Sequence, residues 1–304
     1  MRKYRLGYIA WRNQLTPQDK IKGKYFTAAF TKDHKDYEVV LNATNYQNAR
    51  KASQLITSAL SLLDGCTSLP LESIPRIIPL QKGHEDVPIF HFGCEQTNRT
   101  LIPKAVKMAA KASFKRKHFI SLLKYQLACE LHSVDLMDLY PEYFKLSKNH
   151  SDHLRFAYAI VVFYSVLEEL GLEIRANKDN PSKVDGKWNP EVKSELEGRL
   201  LRAKIDINDK VNWHLRSTPT KIERLNKPEV QKKSSWARDI IRDSEINIID
   251  AIAYASWTRS RIASHKLNVA FTSLSIYDVA NINFLARRLL LETIGFLDKQ
   301  KSVD

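Results

Sequence analysis

The stretch SDHLRFAYAIVVFYSVLEELG, residues 151–171, decides the fold. Its centre, FAYAIVVFYSVL, runs for twelve residues without a charge. A helix that crosses a bilayer needs about 20 predominantly apolar residues. The run is too short for that and reads as a helix buried in a protein core. Asp152 stands where a cap belongs, and Gly171 stands where a left-handed residue can close the last turn. Apolar side chains occupy nearly every side of the helical projection, so this helix is expected at the centre of its domain.

Working outward toward the C-terminus, residues 175 to 235 are polar. They contain a loop, ANKDNPSKVDGKWNP, a short helix, EVKSELEGRLLRAKI, and a further irregular stretch. SEINIIDAIAYASWTRSRIA, residues 244–263, reads as helical throughout. SIYDVANINFLARRLLLETIGFLDKQ follows as a last helix. Ser275 and Asp278 form a variant capping box there, and Ile282, Leu285, Leu289, Ile294 and Leu297 supply an apolar side.

Toward the N-terminus the pattern changes. YRLGYIAW, KYFTAAFT and DYEVVLNA are short, rich in aromatic and β-branched residues, and separated by polar segments. NYQNARKASQLITSALSLLDG then reads as a helix, with Leu55, Ile56, Leu60 and Leu63 at helical spacing and Gly65 at its end. A proline-containing connection, SLPLESIPRIIPLQKGHEDVPIFHFG, leads to IPKAVKMAAKASFKRKHFISLLKYQLACELHSVDLM, which is one or two helices. The fold class expected is α+β, mainly α. A small β-containing module at 1–100 precedes a helical domain at 101–304 with its core at about 150–300.

The chain of 304 residues carries a net charge of +14 and a pI near 9.5. Such a balance favours anionic partners: nucleic acid, a membrane surface or an acidic protein. The three cysteines are far apart, with no CxxC pair, which suits a cytoplasmic location. No secretory signal and no membrane span is read in the chain. Between Glu95 and Glu130 there is no acidic residue. Lys104, Lys107, Lys111 and Lys115 fall there at helical i, i+3, i+7, i+11 spacing, followed by Arg116 and Lys117. They form a basic stripe able to track a phosphate backbone, or simply a solvated face. Phosphate-binding glycine loops and the GxSxG motif are absent. His150 with His153, and the group His84, Glu85, Asp86 and His91, lack the companions of a metal site, so no metal and no cofactor is expected.

WTRSRIASHKLN, residues 257–268, is the candidate chemical site. Of nine histidines only His265 has arginines four to six residues upstream, Arg259 and Arg261. In an unbroken helix, residues six apart point about 240° apart. Arg259 and His265 therefore converge only if the helix breaks between them or just after Arg261. Alternatively, Arg261 and His265 share a face at i, i+4. A guanidinium beside an imidazole suffices to cut RNA, whose 2′-hydroxyl is its own nucleophile. Histidine moves protons near neutral pH and arginine holds phosphate oxygens. The bland reading makes the arginines favourable charges at a helix C-terminus and His265 a cap.

Arg259-Ser260-Arg261-Ile262-Ala263-Ser264-His265 resembles the motif of HEPN domains (higher eukaryotes and prokaryotes nucleotide-binding): Arg, a polar residue, a few more residues, then His. FAYAIVVFYSVLEELG resembles the family's first core helix, with Glu168 or Glu169 as its acidic residue, and NFLARRLLLETIGF resembles the closing helix. The resemblance covers roughly residues 150 to 300. It implies a helical bundle that dimerises, with two Arg–His motifs in one cleft. It also implies metal-independent endoribonuclease activity in phage defence or a toxin system, with RNA (tRNA among the candidates) as substrate and an antitoxin or defence protein as partner. His265 would move protons, Arg259 stabilise the transition state, Arg261 position phosphate and Glu168 orient one of them. The alternative is a non-catalytic nucleic-acid-binding or complex-subunit protein with a basic helical surface.

Overall fold

The structure, a computed structural model, describes residues 2–10, 20–33, 36–65, 78–79, 101–132, 150–185, 187–215, 242–264 and 276–297. The chain divides into two compact units, Met1–Glu130 and Leu131–Asp304. The fold is α+β and mainly helical, with a small antiparallel sheet near the N-terminus.

The first unit contains strands β1 (Arg2–Ala10), β2 (Ile21–Lys22), β3 (Phe26–Asp33), β4 (Asp36–Ala43) and β5 (Ile78–Pro79), in the order β2-β3-β4-β1-β5. Alternation sets the buried face. Phe26, Ala28 and Phe30 of β3 lie opposite Ala43, Leu41 and Val39 of β4, and all six are buried. The strand at Ile78–Pro79 falls inside the segment read as a plain connection. It pairs with Tyr4 and Arg5 at the sheet edge, the place where a proline costs no ladder bond.

Helix α1 (Tyr46–Asp64) packs on β3 and β4. Asn45 caps it by accepting from the Asn48 amide at 2.9 Å, and Gly65 closes it with φ 81°. Two further helices follow, α2 (Ile102–Ala112) and α3 (Arg116–His132). The sequence reading assigned both to the C-terminal domain, but they fall almost wholly within the first compact unit. The reason is visible in the packing. Ala105, Ala109 and Ala112 of α2 are buried, its contacts run to α1 and β2, and the Ser58 hydroxyl of α1 bonds the Gln126 carboxamide of α3 at 2.6 Å.

The second unit contains α4 (His150–Leu170), a two-residue ribbon of β6 (Lys183–Val184) and β7 (Lys187–Trp188), α5 (Pro190–Arg202), a second ribbon of β8 (Lys210–Leu215) and β9 (Arg242–Asn247), α6 (Ile248–Ser264) and α7 (Ile276–Ile294). Helix α4 packs against both α6 and α7, as expected of its apolar run. Phe156, Ile160, Phe163, Val166, Leu167 and Leu170 are buried, whereas Tyr158 is 55% exposed, so one face is open. The helix starts at His150, ahead of Asp152, so Asp152 sits within the helix and not at its cap. Gly171 does close it: with φ +75° it lets the Leu172 amide reach the Leu167 carbonyl at 2.8 Å.

The sequence places 244–247 in a helix and 210–215 in an irregular stretch; the structure pairs 210–215 with 242–247 as a ribbon instead. Residues 210–215, KVNWHL, do alternate polar with apolar, but the pairing partner lies far along the chain and RDSEIN at 242–247 does not alternate. Trp213 is buried against Tyr254 of α6, with ring centres 5.5 Å apart. Arg288 of α7 binds Asp209 at 2.7 Å and the Lys210 carbonyl at 2.6 Å, fastening the start of β8 to the last helix. Along α7, Ile282, Leu285, Leu289 and Ile294 are buried as read, and Leu297 beyond its end is half-buried. Ser275 of the expected capping box lies outside the described residues.

Candidate functional site

In the second unit, Arg259 projects from α6 toward α4. Its Nη2 donates to Glu168 Oε1 at 2.9 Å, across 91 positions of sequence. The guanidinium carbon also lies 5.8 Å from the centre of the Tyr164 ring, within the range of a cation–π contact. Tyr164 and Glu168 are four apart on α4 and therefore share a face. Together they clamp Arg259, ring on its face and carboxylate on its edge.

Tyr164 is itself buried, and its hydroxyl accepts from the Ile174 amide at 3.4 Å and from the Ser256 hydroxyl. Burial pushes the phenol above its usual range, so it stays neutral. The Arg259 and Glu168 side chains are 37% and 35% exposed, so solvent screens the pair and it contributes no more than about 1 kcal/mol. Its consequence is orientation: one N–H of Arg259 is taken by Glu168, and a guanidinium has four more for an anion. Glu169, the other carboxylate considered, lies beside Glu168 in the sequence and is half-buried.

Helix α6 continues through Arg261 to Ser264, so, of the alternatives the sequence leaves open, a break just after Arg261 does not occur. His265 lies outside the described residues, as does the Arg261 side chain. Trp257 is half-buried, while Thr258 is buried and bonds the Tyr254 carbonyl at 2.8 Å. Trp188 is also half-buried and donates to Asp250 at 2.8 Å, and Lys183 lies 5.3 Å above its ring. Trp236 lies outside the described residues.

The basic stripe belongs to the first unit, and it is interrupted. Helix α2 stops at Ala112, so Lys104, Lys107 and Lys111 share a helix while Lys115 sits at the turn before α3. No Gly or Pro marks this corner. Ser113 makes it by donating to the Ala110 carbonyl at 2.6 Å while accepting from the Lys24 amide at 2.7 Å. Lys107, Lys111, Lys115, Arg116 and Lys117 are exposed and Lys104 is half-buried.

Beneath the corner, His118 is 3% exposed and its Nδ1 is buried without a hydrogen-bond partner. Burial first, then Lys115, Lys117 and Lys111, hold its pKa down to about 4, so the imidazole is neutral at physiological pH. His132, seated against the rings of Phe156 and Phe163, is held at about 4 by burial.

No group of three or more metal-ligating side chains occurs among the described residues, and no helix among them is long and apolar enough to cross a membrane. The group at residues 84–91 lies outside the described residues, as do the side chains of His150 and His153. Cys129 is buried. No family model, no curated protein and no solved structure matches the chain.

Sequence reasoning reached Glu168 but missed Tyr164, one turn earlier on the same face. A search for residues sharing a face with Glu168 would have found it.

Proposed function

We propose that the chain is a metal-independent endoribonuclease of the HEPN type, active as a homodimer in phage defence or a toxin system. The observation that carries the reading is the clamp on Arg259, the first residue of the Arg-x5-His motif, by Glu168 and Tyr164. Catalysis by positive charge is strongest when the charge is oriented before the reaction begins.

In this reading the RNA 2′-oxygen attacks the adjacent phosphorus and the bond from phosphorus to the 5′-oxygen breaks. His265 takes the proton from the 2′-hydroxyl, and the partner's copy of the same histidine supplies one to the leaving 5′-oxygen. Arg259 and Arg261 hold the non-bridging oxygens as charge builds on them. The products carry 2′,3′-cyclic phosphate and 5′-hydroxyl ends. The basic residues of the first unit, Lys104 to Lys117, guide the RNA.

A second reading, a nucleic-acid-binding protein without catalysis, draws on a specific observation: Glu168 offsets the charge of Arg259.

The test is RNA cleavage in EDTA by the wild type, Arg259→Ala and His265→Ala, with the end groups read on total tRNA and on a structured RNA. The expected result is cyclic-phosphate ends from the wild type, and losses of about 100-fold or more in both variants. Binding by all three without cutting leaves the second reading standing. Cleavage that persists in both variants refutes the Arg–His mechanism.

A further inference from the structure

The corner between α2 and α3 is more than the end of a lysine stripe, because the fold brings distant cations to it. The Lys24 amide binds the Ser113 hydroxyl at 2.7 Å, across 89 positions of sequence, and so draws the β2–β3 turn against the corner. Next in the chain, Tyr25 packs its ring edge-on to Phe119 of α3, with centres 6.4 Å apart. The ammonium groups of Lys24 and of Lys51 on α1 each lie 5.4 Å from the Tyr25 ring centre. Tyr25 thus gathers a lysine from the turn and one from α1 beside the start of α3. Lys115, Arg116 and Lys117 stand exposed there as well.

The segments that form the corner, residues 20–32, 45–63 and 101–129, contain no Asp or Glu. In the midst of the cations Phe114 is 57% exposed. Most of the benzyl group faces solvent, and a neighbouring serine, Ser113, already supplies the turn's hydrogen bonds.

We propose that this corner binds a single strand of nucleic acid, with an unpaired base stacked on Phe114 and the flanking phosphates on Lys24, Lys51, Lys115, Arg116 and Lys117. An exposed ring set among cations suits unpaired bases, because every base offers a π-face while duplex bases are already stacked. Lysines and arginines spread over three segments track a backbone and read no sequence, so the platform is sequence-tolerant. The proposal rests on the reading above for RNA as the ligand, and not for its cleavage.

The test uses the full chain and a short fluorescent 2′-O-methyl oligouridylate. That strand has no free 2′-hydroxyl and cannot be cut, so failure to bind is read separately from failure to cleave. Phe114→Ala is expected to weaken binding about tenfold at unchanged salt dependence. Lys115→Ala with Lys117→Ala is expected to lower the slope of log K against log salt by about 1.4. Annealing the complementary strand should erase the advantage of Phe114. All three positions are exposed, and circular dichroism checks that the variants fold. A Phe114→Ala protein that binds the single strand like the wild type overturns the proposal. Equal sensitivity to Phe114→Ala on duplex does the same, and so does tighter binding to anionic phospholipid vesicles than to the oligonucleotide. Binding of a deoxy strand but not of the ribose-type strand breaks the link to RNA.

Discussion

Lowering the pH is expected to destabilise this protein before its carboxylates titrate, through two histidines held neutral by burial. The physical basis is the imidazole of His118 beneath the α2–α3 corner and that of His132 against Phe156 and Phe163. Both have pKa values lowered from 6.5 to about 4. Between those values the unfolded chain binds protons that the folded chain refuses, so stability is full above 6.5 and falls as the pH drops toward 4. At about pH 5.5, one unit below the unfolded value, each histidine costs about 1.4 kcal/mol. The whole gap corresponds to about 3 kcal/mol per group, a large part of the roughly 5–15 kcal/mol of an ordinary domain.

The causes also separate the two groups. His118 is depressed partly by Lys115, Lys117 and Lys111, which face solvent, so added salt should raise its pKa. His132 is depressed by burial and should not respond. The assay is urea unfolding between neutral pH and about 5.5, with imidazole titration followed by NMR. His118→Gln and His132→Leu should each flatten the pH dependence by about the amount given for one group. Folded-state titration of both rings near 6.5, with stability flat over this range, would refute the reasoning.

Replacing Phe163, fully buried in α4, by alanine should cost about 3–5 kcal/mol, because it opens a cavity at the centre of the second unit; urea denaturation measures it. Gly171→Ala should cost about 1 kcal/mol although nothing lies within 4 Å of the added methyl, since the cost is backbone strain at φ +75° and shows as a lower Tm. Glu168→Gln should change stability by less than about 1 kcal/mol, because the ion pair is solvent-screened, while releasing Arg259; the side-chain Nε–H resonance of Arg259 should move.

Much of the fold can be read without coordinates. Strands β1, β3 and β4 lie where aromatic and β-branched content between polar segments puts them, and helix α1 where helical spacing puts it. The apolar run of α4 was too short to span a bilayer and had to be core, and Gly171 marked its end. What escaped was either short or dependent on distant chain. The β8–β9 pair is set by partners on either side of residues 216–241, too far apart in the chain for a short hairpin signature. The corner at Ser113 carries no glycine or proline and is stabilised by an amide from Lys24.

The sites divide in the same way. The sequence by itself determined the residue types: an excess of cations, the Arg-x5-His spacing, and an acidic pair at the end of an apolar helix. Only the tertiary structure decided which of them meet. It selected Glu168 as the partner of Arg259, added Tyr164 beneath the guanidinium, and carried Lys24 and Lys51 to the start of α3. Spacing along a chain reports which residues share a face of one element. Contacts between elements depend on how those faces pack, and that is a property of the whole core.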